Sequence, residues 1–160
     1  MTRALGLTVT VRNARLEDAA SLAALASSVG QAQDAVTFSQ HISSYSEGFF
    51  IAEENDTISG YLVLRLEPNP SCVQGRSPIQ LWRLFVSPVY QGKGVARSLI
   101  SHAIAHARTK RHDVVWLGTA EDNTRAIAFY SKSGFRSVGV TLLGQGHSSH
   151  LDLIMSRAIQ

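Results

Sequence analysis

The segment from Ser87 to Lys110, SPVYQGKGVARSLISHAIAHARTK, constrains this chain more than any other. Two glycines one residue apart, Gly92 and Gly94, stand directly before apolar residues at helical spacing, and the run ahead of them, IQLWRLFV, has the length and composition of a strand. The local order is strand, tight turn, helix. Such a turn suits an anion. Glycine puts no side chain in a ligand's way, and the free N–H groups of a helix's first turn, with the positive end of its dipole, point outward there. Phosphate is the natural guest, but two common phosphate patterns do not fit. A dinucleotide G-x-G-x-x-G lacks its third glycine after Gly94, and a Walker turn fails because Lys93 lies between the glycines rather than after them.

A chain of 160 residues, 44% hydrophobic, can build one domain with a proper core and is short for two, so a single domain over 1–160 is expected. The longest apolar runs, YLVLRL and LWRLFV, are strand-length and broken by Arg, far below the roughly 20 residues of a membrane span. The first residues show no apolar segment followed by a cleavage site, and Cys72 is the only cysteine, so a cytoplasmic protein without membrane contact or internal disulfide is expected. The net charge of +3 gathers between Lys93 and Arg111. A solvated helix face accounts for most of that cluster, whereas Lys93 and Arg97 flank the glycine turn and are placed to meet phosphate. No aromatic residues interleave with these cations, which argues against nucleic acid.

LTVTVRNA alternates with period two and reads as a strand; LEDAASLAALASSVG follows as a helix stopped by Gly30. DAVTFSQHISSYSE is a second helix with Asp34 as its cap, and GFFIAEE and ISGYLVLRL form a hairpin about the polar turn NDT. EPNPSCVQGRSP, with three of the four prolines, is a loop that leaves Cys72 as a free exposed thiol. After the glycine-started helix come a strand, DVVWLGTA, a helix, EDNTRAIAFYSKSGF, and two strands around a loop containing glycine and histidine. The order β-α-α-β-β-β-α-β-α-β-β implies an α/β or α+β architecture, a mixed sheet with helices packed on it.

Two stretches then carry a resemblance. Gln91-Gly92-Lys93-Gly94-Val95-Ala96 resembles the Q/R-x-x-G-x-G/A turn of the GCN5-related N-acetyltransferases, and the run from Asn123 to Phe135 is similar to that superfamily's N-x-x-A-x-x-F-Y-x-x-x-G-F signature. The resemblance implies a mixed, mostly antiparallel sheet of about seven strands with about four helices, splayed between the fourth and fifth strands. It implies acetyl-CoA as co-substrate, its pantetheine arm bonded to the strand edge at Leu84, Phe85 and Val86. Its pyrophosphate would be wrapped by Gln91, Gly92, Lys93, Gly94, Val95, Ala96 and Arg97, with Asn123 touching the pantetheine. Tyr130 is the expected general acid, giving a proton to the departing thiolate; Phe129 is expected to pack in the core.

The base is harder to place. Relatives often carry Glu where this chain has Gln80, which takes no proton near neutral pH. Glu53 and Glu54 at the end of the second strand, and Glu121 and Asp122 just before Asn123, are the candidate carboxylates, each read first as a solvated turn or capping residue, and a water bonded to backbone carbonyls would need no side chain. The phrases LWRLFV and LDLIMSRAI resemble bacterial branches acting on polyamines and other small amines, although Ala120 replaces their large aromatic residue. His147 and His150 fall in the loop bordering the acceptor pocket of that fold. No metal site is expected, for want of a third ligand at a telling spacing. The expected reaction is direct attack of an amine on acetyl-CoA. The acceptor is a small primary amine or, alternatively, a protein amino terminus or lysine; a non-catalytic acyl-CoA-binding module is the rival from another class. The resemblance leaves room for a homodimer.

Overall fold

The computed structural model describes residues 9–31, 33–143 and 150–159. Its elements are β1 (Thr10–Asn13), α1 (Ala19–Ser28), α2 (Ala35–Ser44), β2 (Phe49–Glu54), β3 (Thr57–Arg65), β4 (Pro78–Val86), α3 (Val95–Thr109), β5 (Val114–Ala120), α4 (Thr124–Lys132), β6 (Arg136–Leu143) and β7 (His150–Ala158). Short 3-10 turns at Leu16–Asp18 and Pro88–Tyr90 lead into α1 and follow β4. The strands form one seven-stranded sheet in the order β1-β2-β3-β4-β5-β7-β6. β4 and β5 run parallel, and their register covers Pro78–Val114, Ile79–Val115 and Gln80–Trp116, after which β4 continues to Val86 and β5 to Ala120. The mixed sheet, the four helices and this branching pair are the expected architecture.

By contacts the chain divides into two compact units, Met1–Leu64 with Arg83–Ala103, and Arg65–Trp82 with Ile104–Gln160. In the first, β2 and β3 meet through a two-residue turn, Asn55 and Asp56, at φ 48° and 63°. Two left-handed residues make the hairpin turn whose twist matches its strands. The hairpin buries both its faces. Tyr61 meets Phe38, Phe49 and Phe85 at ring separations of 5.7, 5.6 and 5.7 Å, while Phe50 packs on His102 of α3 at 4.8 Å. Each fully buried side chain of this size, such as Phe38 or Leu62, contributes about 1.5–3 kcal/mol. Arg12 ties β1 to this core, with Nη1 and Nη2 each 2.9 Å from the Asp18 carboxylate and Nε 3.0 Å from Glu53. Asp18 is held below its ordinary carboxylate range chiefly by that hydrogen bond from Arg12.

Gly60 shows how closely β3 approaches the end of β4. A Cβ built on it would stand 2.5 Å from the Phe85 carbonyl oxygen and 3.3 Å from a Val95 methyl. Ala at 60 therefore displaces backbone rather than a side-chain tip. Gly60→Ala is expected to lower stability by about 1–3 kcal/mol and to disturb the strand edge at Leu84–Val86. Urea unfolding with an unchanged midpoint would show that the approach is looser than this.

In the second unit Val73, Val114, Trp116 and Ile154 form a buried cluster, with Cys72 and Val138 packed against it. Cys72 is free but only partly exposed, contrary to the loop reading; a Cβ at Gly139 would lie 2.8 Å from its sulfur. The apolar neighbours Val73 and Val138 draw the thiol onto the sheet. On the other face Arg157 Nη1 donates to the Ser133 carbonyl at 2.9 Å, and Gly134, at φ 91°, packs on the same side chain where α4 ends.

Candidate active site

The glycine turn belongs to the first unit. Ser87 N donates to Ser59 O at 2.8 Å as β4 ends, and Gln91 Nε2 reaches back to Val86 O at 3.4 Å. Gly92 and Gly94 take φ values of 78° and 85°, and neither has an atom within 4 Å of a built Cβ. The glycines are thus required by left-handed backbone more than by crowding, and the space beside the turn is open. α3 begins at once. Ser98 N is bonded to Gly94 O, which leaves the N–H groups of Val95, Ala96 and Arg97 as the helix's outward donors. Lys93 and Arg97 are exposed beside them, and Leu84, Phe85 and Val86 are half-buried. The sequence-predicted phosphate turn and strand edge are contiguous in this unit.

Between α1 and α2 lies a groove of about 600 Å³, lined by Ala23, Ser27, Gln31, Gln33, Asp34 and Thr37 among others. Asp34, the only carboxylate among the described residues that line it, accepts from Thr37 N at 2.9 Å and is held acidic by that bond. Gln33 accepts from Arg83 Nη1 at 2.8 Å.

Tyr130 and Asn123 belong to the second unit. Asn123 caps α4, its Oδ1 accepting from Ala126 N at 3.2 Å; only its amide NH2 is left to meet a ligand. Tyr130 is packed edge-on by Phe129 at 5.5 Å and Phe135 at 5.8 Å. Burial pushes its phenol up to about 12, above the value near 10 of a free phenol. Phe129 is half-buried rather than a core residue.

Gln80 occupies the last registered pair of the parallel strands, opposite Trp116. Its Oε1 accepts from Arg65 Nε at 2.8 Å, and the Arg65 guanidinium lies over the Trp82 ring at 4.1 Å, with Glu67 3.9 Å away. The amide is fixed by cation–π stacking beneath its partner. None of this is legible locally, because Arg65 and Gln80 are joined only by the sheet.

The other carboxylates sort differently from expectation. Glu53 serves Arg12, and Glu121 and Asp122 are exposed. Glu54, expected in a solvated turn, is buried at 2% exposure, and neither of its oxygens has a hydrogen-bond partner among the described residues. It closes β2, opposite Thr57 across the two-residue turn. Asp152 on β7, which the sequence reading passed over, is also buried; its one visible signal is a charge interrupting the apolar run LDLIM. His147 lies outside the described residues, as does the side chain of His150. Among the described residues no group of three or more His, Cys, Asp or Glu is arranged to hold a metal ion, and no helix is long and apolar enough to cross a membrane.

Residues 16–135 match the acetyltransferase (GNAT) family. An uncharacterized N-acetyltransferase of Mycobacterium tuberculosis is 27% identical over 136 residues, covering 84% of this chain and 82% of that one. Ard1 from Thermoplasma volcanium superposes with a TM-score of 0.78 at 20% identity, over 95% of this chain and 98% of that one. The Salmonella typhimurium putative acetyltransferase yncA, solved with its cofactor acetyl-CoA, does so with a TM-score of 0.75 at 22% identity, over 95% and 94% of the two chains. With a GNAT match running from the turn before α1 to the end of the second motif, and a sheet that branches at Gln80, the chain belongs to the GNAT family and is an N-acetyltransferase.

Proposed function

We propose that the protein transfers acetyl from acetyl-CoA to a primary amine by direct attack, the two units acting as one domain over residues 1–160. The open, left-handed turn at Gly92 and Gly94, running straight into the donors of α3, carries this reading. Backbone amides there take the diphosphate, Lys93 and Arg97 add charge, and the edge at Leu84, Phe85 and Val86 bonds the pantetheine as an added strand would. Asn123 offers its amide NH2 to the same arm.

Tyr130 acts where the C–S bond breaks. With its pKa at about 12 it stays neutral wherever a thiol ionises, so its proton is always on offer. Full transfer to a free thiolate of pKa about 8.5 would be uphill. The phenol therefore works mainly in the transition state, as a preorganised hydrogen bond to a sulfur whose charge is growing.

The acceptor is a small primary amine or, alternatively, a protein amino terminus or lysine. Incubation with acetyl-CoA and a panel of monoamines, polyamines and short peptides, read by mass spectrometry, tests the reading; tight CoA binding with no acetylated product from any acceptor would support a non-catalytic module. The exposed cations beside the turn make a second, milder prediction. Acetyl-CoA affinity should fall several-fold between low and physiological salt, and a salt-independent dissociation constant would remove Lys93 and Arg97 from the contact.

A further inference from the structure

Acetyl transfer to an amine moves protons at two places, off the attacking nitrogen and onto the departing sulfur, so the base and the acid need separate positions. In the second unit α4, which bears Tyr130, lies on the face of the sheet that carries Arg157, as the Arg157 bond to Ser133 and its packing on Gly134 show. The opposite face of β5 carries Val114, Trp116, Gly118 and Ala120. Register sets Ile154 beside Gly118 and Asp152 beside Ala120 on β7, with Thr141 of β6 beyond Asp152.

Asp152 is 8% exposed, and its carboxylate leans over Gly118, where a Cβ would stand 2.9 Å from Oδ2. Gly118 itself is exposed, so the absent side chain leaves that carboxylate approachable along the strand. Gly118, Ala120, Gly139 and Thr141 surround it with little bulk. Gly118 also lies two residues past Trp116, the last residue of β5 registered with β4. The carboxylate thus stands on the stretch of β5 released from its parallel neighbour, on the face away from the acid.

We propose that Asp152 is the catalytic base, a carboxylate that holds the acceptor's ammonium group and takes its proton as the nitrogen attacks. This rests on the acetyltransferase reading and narrows the acceptor to a primary ammonium slim enough to pass over Gly118. The ammonium gives one proton to Asp152, the freed nitrogen pair forms the C–N bond, and the carbonyl π pair moves onto oxygen. As that pair returns, the C–S bond breaks while the Tyr130 hydrogen bond stabilises the charge growing on sulfur, the second nitrogen proton ends on that sulfur, and Asp152 releases its own to solvent. One amide, one thiol and one free proton result.

On this face of β6 and β7 the register places two other charged or titratable residues, His150, opposite Leu143 and two residues along β7 from Asp152, and Arg136, beside Ser156 and four residues along, while Cys72 covers Gly139. A pH profile compared between wild type and variant supplies the readout. Asp152→Asn keeps the shape and loses the base, so kcat/KM at neutral pH should fall by about 10² or more. The deficit should shrink as pH approaches the acceptor's own pKa near 10, because a free amine needs no base. An equal deficit at every pH would overturn the role. Gly118→Ala, which displaces the carboxylate without removing it, should reproduce the loss, and acetyl-CoA affinity should stay within about two-fold in both variants as a check on folding. A second measurement needs no turnover: calorimetry of methyl- to hexylammonium chloride on the protein saturated with CoA. Binding at least ten-fold weaker in Asp152→Asn is expected, and equal binding, or none by the wild type, refutes the ammonium site. Asp152-dependent ammonium binding with no acetylated product would uphold that site and strike the acetyl-transfer reading instead.

Discussion

Gly94→Asp is expected to bind acetyl-CoA at least 10²-fold more weakly than the wild-type protein. Two effects combine. Gly94 sits at φ 85°, a region that costs a non-glycine residue roughly 1–2 kcal/mol, although Asp tolerates it better than most. The new carboxylate would also stand at the mouth of α3 against a diphosphate, and two like charges about 4 Å apart repel by about 4 kcal/mol at the effective dielectric of a protein surface. Gly94→Asn separates the two, since it carries the same backbone strain without the charge. Calorimetry should find Asn weakened by about ten-fold and Asp by at least ten-fold more. Unchanged affinity in a folded Asp variant would sink the phosphate-turn assignment.

Tyr130→Phe is expected to slow single-turnover acetyl transfer by roughly 10²-fold while leaving acetyl-CoA affinity within the 0.5–1.5 kcal/mol or so of one hydrogen bond. The ring, and its packing on Phe129 and Phe135, are kept. A wild-type single-turnover rate would move the proton donor to water or to the acceptor. The same substitution has a signature in stability. Burial raises the folded pKa of Tyr130 to about 12, against about 10 in the unfolded chain. The folded state therefore keeps a proton that the unfolded chain gives up. The stabilisation is fully present below about pH 10 and is lost as pH rises through about 12, a change of about 2–3 kcal/mol. Tyr61, also raised by burial, contributes in the same direction. The Phe variant should lose stability less steeply than the wild type between pH 10 and 12, measured by urea midpoints.

What the sequence made legible is what its neighbours in the chain decide. The eleven main elements follow from apolar period and from punctuation: Asp34 and Asn123 cap their helices, and Gly30 and Gly134 adopt φ 77° and 91° where α1 and α4 end. The glycine turn was readable too, though for an incomplete reason, since backbone handedness at Gly92 and Gly94 matters there as much as room for a ligand. What stayed hidden depends on residues far apart in the chain. The clasp of Arg65 on Gln80 and Trp82, the Asp152 carboxylate over Gly118, and the burial of Glu54 are decided by sheet register and packing, which no local pattern encodes. The phenol of Tyr130 shows both sides. Its aromatic neighbours are adjacent in sequence, whereas the loss of solvent that shifts its titration is a property of the packed chain.

The two-residue turn at Asn55 and Asp56 also has a bearing on the order in which the chain assembles. A hairpin closed by so short a loop, between strands carrying Phe49, Phe50, Ile51 and Leu62, pays almost no loop-closure entropy and forms on the scale of about 1–10 μs in isolated hairpins. The parallel pair is the opposite case: Gln80 meets Trp116 only after the whole of α3 has been laid between them. Non-local parallel pairing is slow for that reason. The parallel pair at Gln80 and Trp116 is thus among the last features to form, and a nascent or heat-damaged chain can hold a native-like hairpin before that pair exists.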